Sequence, residues 1–487
     1  MRRLALFVIA IALGGCPDRS LSKVDPQQQG ATIKDIPVSA DIDILFVIDN
    51  SLSTTDKQTV FAANFPKFVQ ALDAFPTGRP NLHIAVIDST VDIGVPGYGP
   101  SCPSPDPNDN GRFQVAARGS AGCMPPNGNF ISDIKTASGT RQTNYSGTLE
   151  GTLSCIAQIG ASGCGFEAPL NAMKRALDGS NSENAGFLRP GAYLAVIILT
   201  DEDDASVKDG PTGSSVFSLP DAQVGGHNDF RVQPLFAYDC DTPISASAPG
   251  TYTGCKPRTD SYLQDPGYYA QFLSSVKSPG QLVVAVIGGP PPGLMTNDNP
   301  PQTATSPTDI VIGPLTTNGS TQQLALQPSC SATINGSAAI GRPAVRLASF
   351  LSNYGSRGRF YSVCQGDYSA ALTDIGNTLF NAISPCLEGP VDAADADPIN
   401  PGTQLQCTVT DVQNIGTDTE SRVLIPACTM QDATTPAANT PTPCWYTDLN
   451  QAACAAPDTG YELKIDRGSQ PPAPGTTEEV ECAVKTM

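Results

Sequence analysis

The chain has 487 residues, 28 basic against 47 acidic, for a formal net charge of −19 at pH 7; only 15% are charged, and there are 45 Gly, 44 Pro and 15 Cys. A surface this acidic repels phosphate backbones, which sets nucleic acid aside as a partner, and attracts cations. With 2 histidines and neither a Gly-x-Ser-x-Gly elbow nor a glycine-rich phosphate loop, the usual acid/base and nucleophile constellations are missing, so an enzyme is not the first expectation.

Met1 to Cys16 carries two arginines, a run of apolar residues and then Leu13-Gly14-Gly15-Cys16. This has the layout of a secretory signal, and its end resembles a bacterial lipoprotein cleavage box. The resemblance implies that residues 1–15 are removed and that Cys16 becomes the lipidated first residue of the mature protein. No other stretch approaches the run of about 18 apolar residues that a membrane helix needs. The chain is expected to be anchored to a membrane, with residues 16–39 as a polar tether.

Ile44 to Ser53 reads Ile-Leu-Phe-Val-Ile-Asp-Asn-Ser-Leu-Ser, a buried parallel strand that ends in one acid and two hydroxyls. Asp49, Ser51 and Ser53 follow the spacing Asp-x-Ser-x-Ser. That spacing gathers hard oxygen donors on one turn and suits Mg²⁺, though Asp and Ser also crowd such turns for local reasons. An amphipathic helix is expected after Ser53, to about Phe75, and a strand over Asn81 to Ile87 with His83 as an ordinary strand residue. His227 has no partner motif. A second buried strand, Tyr193 to Thr200, stops at Asp201. Two strands that end in an acid suggest one shared site.

At these residues the chain resembles the von Willebrand factor type A family. The resemblance covers about residues 40–385 and implies an α/β fold with a mostly parallel, doubly wound sheet. It also implies a metal-ion-dependent adhesion site, in which Ser51 and Ser53 touch the metal and Asp49 and Asp201 hold it directly or through water. The family places a Thr in a middle loop. Here that loop reads Gly163-Cys-Gly-Phe-Glu167, and the expected helix runs from Glu167 to Leu177. Glu167 is the first candidate for the missing ligand, with capping of its own helix as the alternative. Thr148 and Thr152 are weaker substitutes.

Insertions are expected near 89–155, 205–280 and 289–341. Asp106 to Gly111 matches the first half of a calcium loop, but Ala117 stands where the bidentate Glu belongs, so it reads as a solvated turn. In the acidic run Asp201 to Asp204 the first residue fits the metal role, and the other three read as a solvated loop in preference to a second cation site. A strand at Gln281 to Gly288 separates the second and third insertions, and after the third the regular pattern resumes with a helix at Pro343 to Tyr354, a strand at Gly358 to Val363 and a helix at Asp367 to Ile383.

Setting Cys16 aside leaves 14 cysteines, an even number that suits a paired set in an oxidising compartment. Pairing sequence neighbours gives Cys102–Cys123, Cys155–Cys164, Cys240–Cys255 and Cys330–Cys364. The other six lie in residues 386–487, expected to form a small cysteine-rich β module around Trp445, and their connectivity stays open.

The expected function is that of a lipid-anchored bacterial envelope protein, periplasmic or on the cell surface. Its cation (Mg²⁺, or Mn²⁺ or Ca²⁺ in its place) would bind an acidic residue of a partner protein. The alternatives are a structural scaffold with a degenerate metal site and, more remotely, a metal-dependent hydrolase.

Overall fold

The computed structural model describes residues 31–37, 41–75, 78–95, 109–116, 122–136, 138–224, 232–277, 279–306, 308–315, 323–334, 336–383, 386–387, 391–413, 420–450, 454, 460–468 and 476–484. The first part of the chain forms β1 (Ala31–Pro37), β2 (Asp41–Ile48), α1 (Thr55–Ala63), α2 (Phe65–Asp73), β3 (Asn81–Asp88), β4 (Ile131–Lys135), β5 (Arg141–Thr143), α3 (Leu149–Ala157), α4 (Pro169–Leu177) and β6 (Tyr193–Leu199). The middle holds the short α5 (Pro211–Ser214) and α6 (Asp221–Val224), β7 (Tyr238–Asp239), β8 (Gly250–Thr253), β9 (Lys256–Pro257), α7 (Pro266–Val276), β10 (Leu282–Gly288), β11 (Asp309–Leu315) and β12 (Gln323–Leu326). Then come β13 (Cys330–Ile334), β14 (Ser337–Gly341), α8 (Val345–Leu351), β15 (Gly358–Ser362) and α9 (Ser369–Ile383). The C-terminal part holds β16 (Cys407–Gln413), β17 (Ser421–Ile425), β18 (Cys444–Leu449), β19 (Tyr461–Asp466) and β20 (Thr476–Ala483).

Seven strands make the central sheet, in the order β15-β10-β6-β2-β3-β4-β5. The five from β15 to β3 are parallel, while β4 and β5 run antiparallel at the edge. The chain winds outward from β2 in one direction and from β6 in the other. The crevice between these two strands is therefore the topological switch point, where open α/β sheets place their sites.

The strands are apolar on both faces because both faces are covered. Ile44, Phe46 and Ile48 pack under α1, α2, α3 and α9, while Leu45 and Val47 face α4, α7 and α8. Phe46 meets Phe61, Phe65 and Phe68 edge to face with centroids 5.5–5.7 Å apart, which fixes α1 and α2 on the sheet. The expected single helix after Ser53 is two, because Pro66 has no N–H to continue a ladder and α2 starts afresh around it.

Two expectations are corrected. The tether is not irregular to residue 39, since β1 pairs along its length with β20 in a sheet ordered β1-β20-β16-β17. The pairs Cys102–Cys123 and Cys155–Cys164 are replaced by Cys123–Cys155. Sequence neighbours fail here because Cys155 is carried by α3, beside the core around Phe46. Cys164, itself disulfide-bonded, packs with Phe166, Ala205 and Val216 in a separate cluster. Cys240 pairs with Cys255 and Cys330 with Cys364. In the C-terminal part the bonds are Cys386–Cys454, Cys407–Cys482 and Cys428–Cys444. Cys16, Cys102, Ala117 and His227 lie outside the described residues, as does most of the Asp106–Gly111 turn. Among the described residues no helix is long and apolar enough to cross a membrane.

Candidate functional site at the sheet switch point

The parallel register aligns Ile48 of β2 with Leu199 of β6, so the residues that follow, Asp49 and Thr200, leave the sheet side by side. The Asp49 carboxylate is buried and fixed at both oxygens. Oδ1 accepts the Ser51 N–H at 2.7 Å and Oδ2 accepts the Thr200 hydroxyl at 2.8 Å. The Ser51 and Ser53 hydroxyls are 3.1 Å apart, and Ser53 donates to Asp201 Oδ1 at 3.0 Å. Four of the expected site residues therefore meet: Asp49, Ser51, Ser53 and Asp201. Burial, and next the charge of Asp201, push the Asp49 carboxyl up to about 6, against the Ser51 and Thr200 hydrogen bonds that lower it.

The first turn of α1 wraps this group. Gln58 donates to the Asp49 carbonyl at 2.8 Å and to the Gly160 carbonyl at 2.7 Å, which ties the Asp49 turn to the loop after α3. Gly163 completes the tie, its N–H donating to the Asn50 carbonyl at 2.8 Å. A Cβ at Gly163 would stand 2.1 Å from Asn50 Oδ1, so the approach requires glycine.

Three residues that the sequence reading did not single out shape the site: Thr200, Lys57 and Arg342. Lys57 is buried, with Nζ 2.9 Å from Asp201 Oδ2 and 2.8 Å from the Ser53 carbonyl. Arg342 donates its backbone N–H to the Asp201 carbonyl at 2.8 Å and pairs with Glu202. Burial depresses the Arg342 guanidinium below its usual range, while the charges of Asp201 and Glu167 act to raise it. A positive residue after β14 and a lysine four residues beyond Ser53 were the available signals.

The alternatives for the middle element are decided in part. Thr148 caps α3 by accepting the Gly151 N–H at 3.2 Å, and Thr152 donates to the Thr148 carbonyl at 3.1 Å. Glu167 is buried and does not cap its helix; Ala168 is the N-cap, and the first N–H groups of α4 go to Asp204 Oδ1 and Ser206 Oγ at 3.2 and 3.0 Å.

The acidic run is not the solvated loop expected of it. Asp203 and Asp204 are fully buried, since their carboxylates serve as caps for two helices. Asp203 accepts the Arg346 and Leu347 N–H groups of α8 at 2.8 and 3.0 Å, and Asp204 pairs with the buried Arg346 at 3.0 Å. Burial pushes Asp203 up to about 6, although Arg346 lowers it. His83 bonds the Phe187 carbonyl at 2.8 Å through Nδ1 and packs against Phe130, away from this edge.

Among the described residues no group of three or more His, Cys, Asp or Glu side chains is placed to hold a metal. A cation here would rely on hydroxyls. Mg²⁺ with arms of about 2.1 Å in octahedral geometry needs adjacent donors about 3.0 Å apart. The 3.1 Å between the serine hydroxyls and the 3.0 Å from Ser53 to Asp201 Oδ1 fit that spacing.

No family model matches the sequence, and no curated protein does. Among solved structures the chain is similar to the pilus adhesin SpaC from Lactobacillus rhamnosus GG in its open conformation, at 10% identity and TM-score 0.29, over 95% of this chain and 44% of that one. It is also similar to a von Willebrand factor type A protein from Catenulispora acidiphila, at 9% identity and TM-score 0.28, over 95% and 67% of the two chains. A third is the pilus adhesin RrgA from Streptococcus pneumoniae, at 8% and 0.23, over 93% and 57%. At TM-scores this low the likenesses do not define the fold; the strand order does.

Proposed function

We propose that the chain is a lipid-anchored protein of a bacterial cell envelope or surface, with a domain of the von Willebrand factor type A kind that binds a protein partner at the switch-point edge. The observation that carries this reading is the meeting of Asp49, Ser51, Ser53 and Asp201 at the ends of β2 and β6. On this reading the four residues hold Mg²⁺, or Mn²⁺ or Ca²⁺ in its place, directly or through water. A cation with few protein ligands accepts a carboxylate from outside, so the partner presents an acidic residue. The long insertions supply loops from which partner choice can be built, and their disulfides suit an oxidising compartment.

A second reading, a scaffold whose metal site is degenerate, is favoured by Lys57 on Asp201 and by the charge of Glu167 acting on Arg342. Calorimetric titration of Mg²⁺ and Mn²⁺ into the chelator-treated chain from residue 17 separates the two. The binding reading expects one ion per chain and its loss in Asp49→Ala. Glu167→Ala loses the ion as well if Glu167 is a ligand, and leaves it unchanged if Glu167 serves only to balance Arg342. No uptake by the wild type at millimolar ion overturns the binding reading in favour of the scaffold.

A further inference from the structure

Lys57 is not among the residues proposed to hold the cation, yet it is built into the site. Its side chain is 2% exposed, with Nζ 2.9 Å from Asp201 Oδ2, 2.8 Å from the Ser53 carbonyl and 3.5 Å from Asp56 Oδ1. Lysines are almost never buried this deeply unless paired, because the ammonium gives up its hydration. Helix geometry supplies the placement: Lys57 is four residues beyond Ser53, and long side chains on a helix lean back toward its N-terminus. The ammonium therefore comes to rest over the turn that bears both serines.

The Asp201 carboxylate is divided between two uses. Oδ1 accepts the Ser53 hydroxyl at 3.0 Å, on the side where the serine oxygens gather, and Oδ2 holds the ammonium. We propose that Lys57 is a built-in competitor for the divalent ion, a fixed positive charge on the far oxygen of the Asp201 carboxylate, whose near oxygen accepts the Ser53 hydroxyl. The inference rests on the reading of Asp49, Ser51, Ser53 and Asp201 as a cation site. A divalent ion entering beside Ser51 and Ser53 meets this charge across a single carboxyl group, and because Lys57 and Asp201 are themselves buried little solvent screens the two. Arg342, bonded to the Asp201 carbonyl and paired with Glu202, adds a second positive group on the flank. The ion-free protein thus rests with Asp201 already neutralised, and metal affinity is set by how readily Lys57 gives way.

The test is titration of MgCl₂ and MnCl₂ into the chelator-treated chain from residue 17, as wild type, Lys57→Met, Lys57→Gln and Lys57→Arg. Met and Gln remove the charge. Gln retains an amide donor toward Ser53 and Asp201, which keeps the comparison readable if Met lowers stability. Both are expected to bind at least about ten-fold more tightly than wild type, the scale on which one nearby charge shifts an ionic equilibrium. Arg keeps the charge and is expected to stay near the wild-type affinity. Mg²⁺ should also raise the melting temperature of Lys57→Gln more than that of wild type. Equal affinity in wild type, Met and Gln overturns the inference and leaves the cation site standing. Weaker binding in Met and Gln overturns it as well, since Lys57 would then support the ion. No binding by any of the four chains overturns both the inference and the cation-site reading.

Discussion

Arg346 shows how single residues hold the site's surroundings in place. It is fully buried, with Nε on the Asp204 carbonyl at 2.8 Å and Nη2 on Asp204 Oδ2 at 3.0 Å and the Gln264 carbonyl at 2.6 Å. Removing one partner of a buried pair leaves the other charge uncompensated, which costs about 3–5 kcal/mol. Arg346→Met is therefore expected to lower unfolding free energy by that amount in urea titration; a loss under about 1 kcal/mol would mean that Asp204 finds water instead. The arginine and its two acids were not legible as a unit. Four acids in a row look solvated when read locally, and a cap is recognised only when its helix follows directly, whereas Asp203 and Asp204 cap α8 and α4 from elsewhere in the chain. Asp49, Ser51, Ser53 and Asp201 were legible because they lie in the turns that directly follow two buried strands, β2 and β6, whose apolar runs set their position.

Between elements, the clearest demand for a particular residue lies where α2 crosses α9. Gly376 on α9 is buried, and a Cβ there would stand 2.5 Å from the Cβ of Ala71 on α2. A Gly to Ala change in a helix normally gains about 1 kcal/mol in propensity. Here the obstacle is a Cβ with no rotamer by which to move aside, and overpacking of this kind costs about 1–3 kcal/mol. Gly376→Ala is expected to lower the melting temperature, and Ala71→Gly added to it should recover part of the loss, the sign that the two positions are coupled. A melting temperature that rises in Gly376→Ala would show that the helices separate freely. The helices themselves were readable from apolar spacing, and the strands from runs such as Leu194 to Leu199 that are buried on both faces. Which helix touches which is a tertiary matter. The same holds for Cys123 and Cys155, which are joined because α3 delivers the second to the first.

At the scale of the whole molecule, the first and last described strands close on each other. β1 pairs with β20 from Ala31 opposite Ala483 to Pro37 opposite Thr477, and the Cys407–Cys482 bond fastens β20 to β16. This pairing was not legible, because Ala31 to Pro37 is polar and short and its partner lies at the opposite end of the chain. Pro37 fits only because β1 is an edge strand, where a missing N–H leaves no ladder bond unmade. The C-terminal core around Val409, Ile425, Trp445, Leu463 and Val480 is small, and small cores depend on every strand that covers them. On the proposed reading, load between a lipid at Cys16 and a partner at the switch point also passes through β1. A chain starting at residue 41 should therefore be compared with one starting at residue 17, with urea unfolding followed by the fluorescence of Trp445, the single tryptophan. Seven residues of lost pairing, at about 0.5–1.5 kcal/mol net for each hydrogen bond, are expected to weaken the Trp445 transition by about 2 kcal/mol or more. On the proposed reading Mg²⁺ uptake would depend on β2 and β6 and should be the same in both chains. Coincident Trp445 transitions would mean that the C-terminal module is complete without β1 and that a load on the anchor bypasses it.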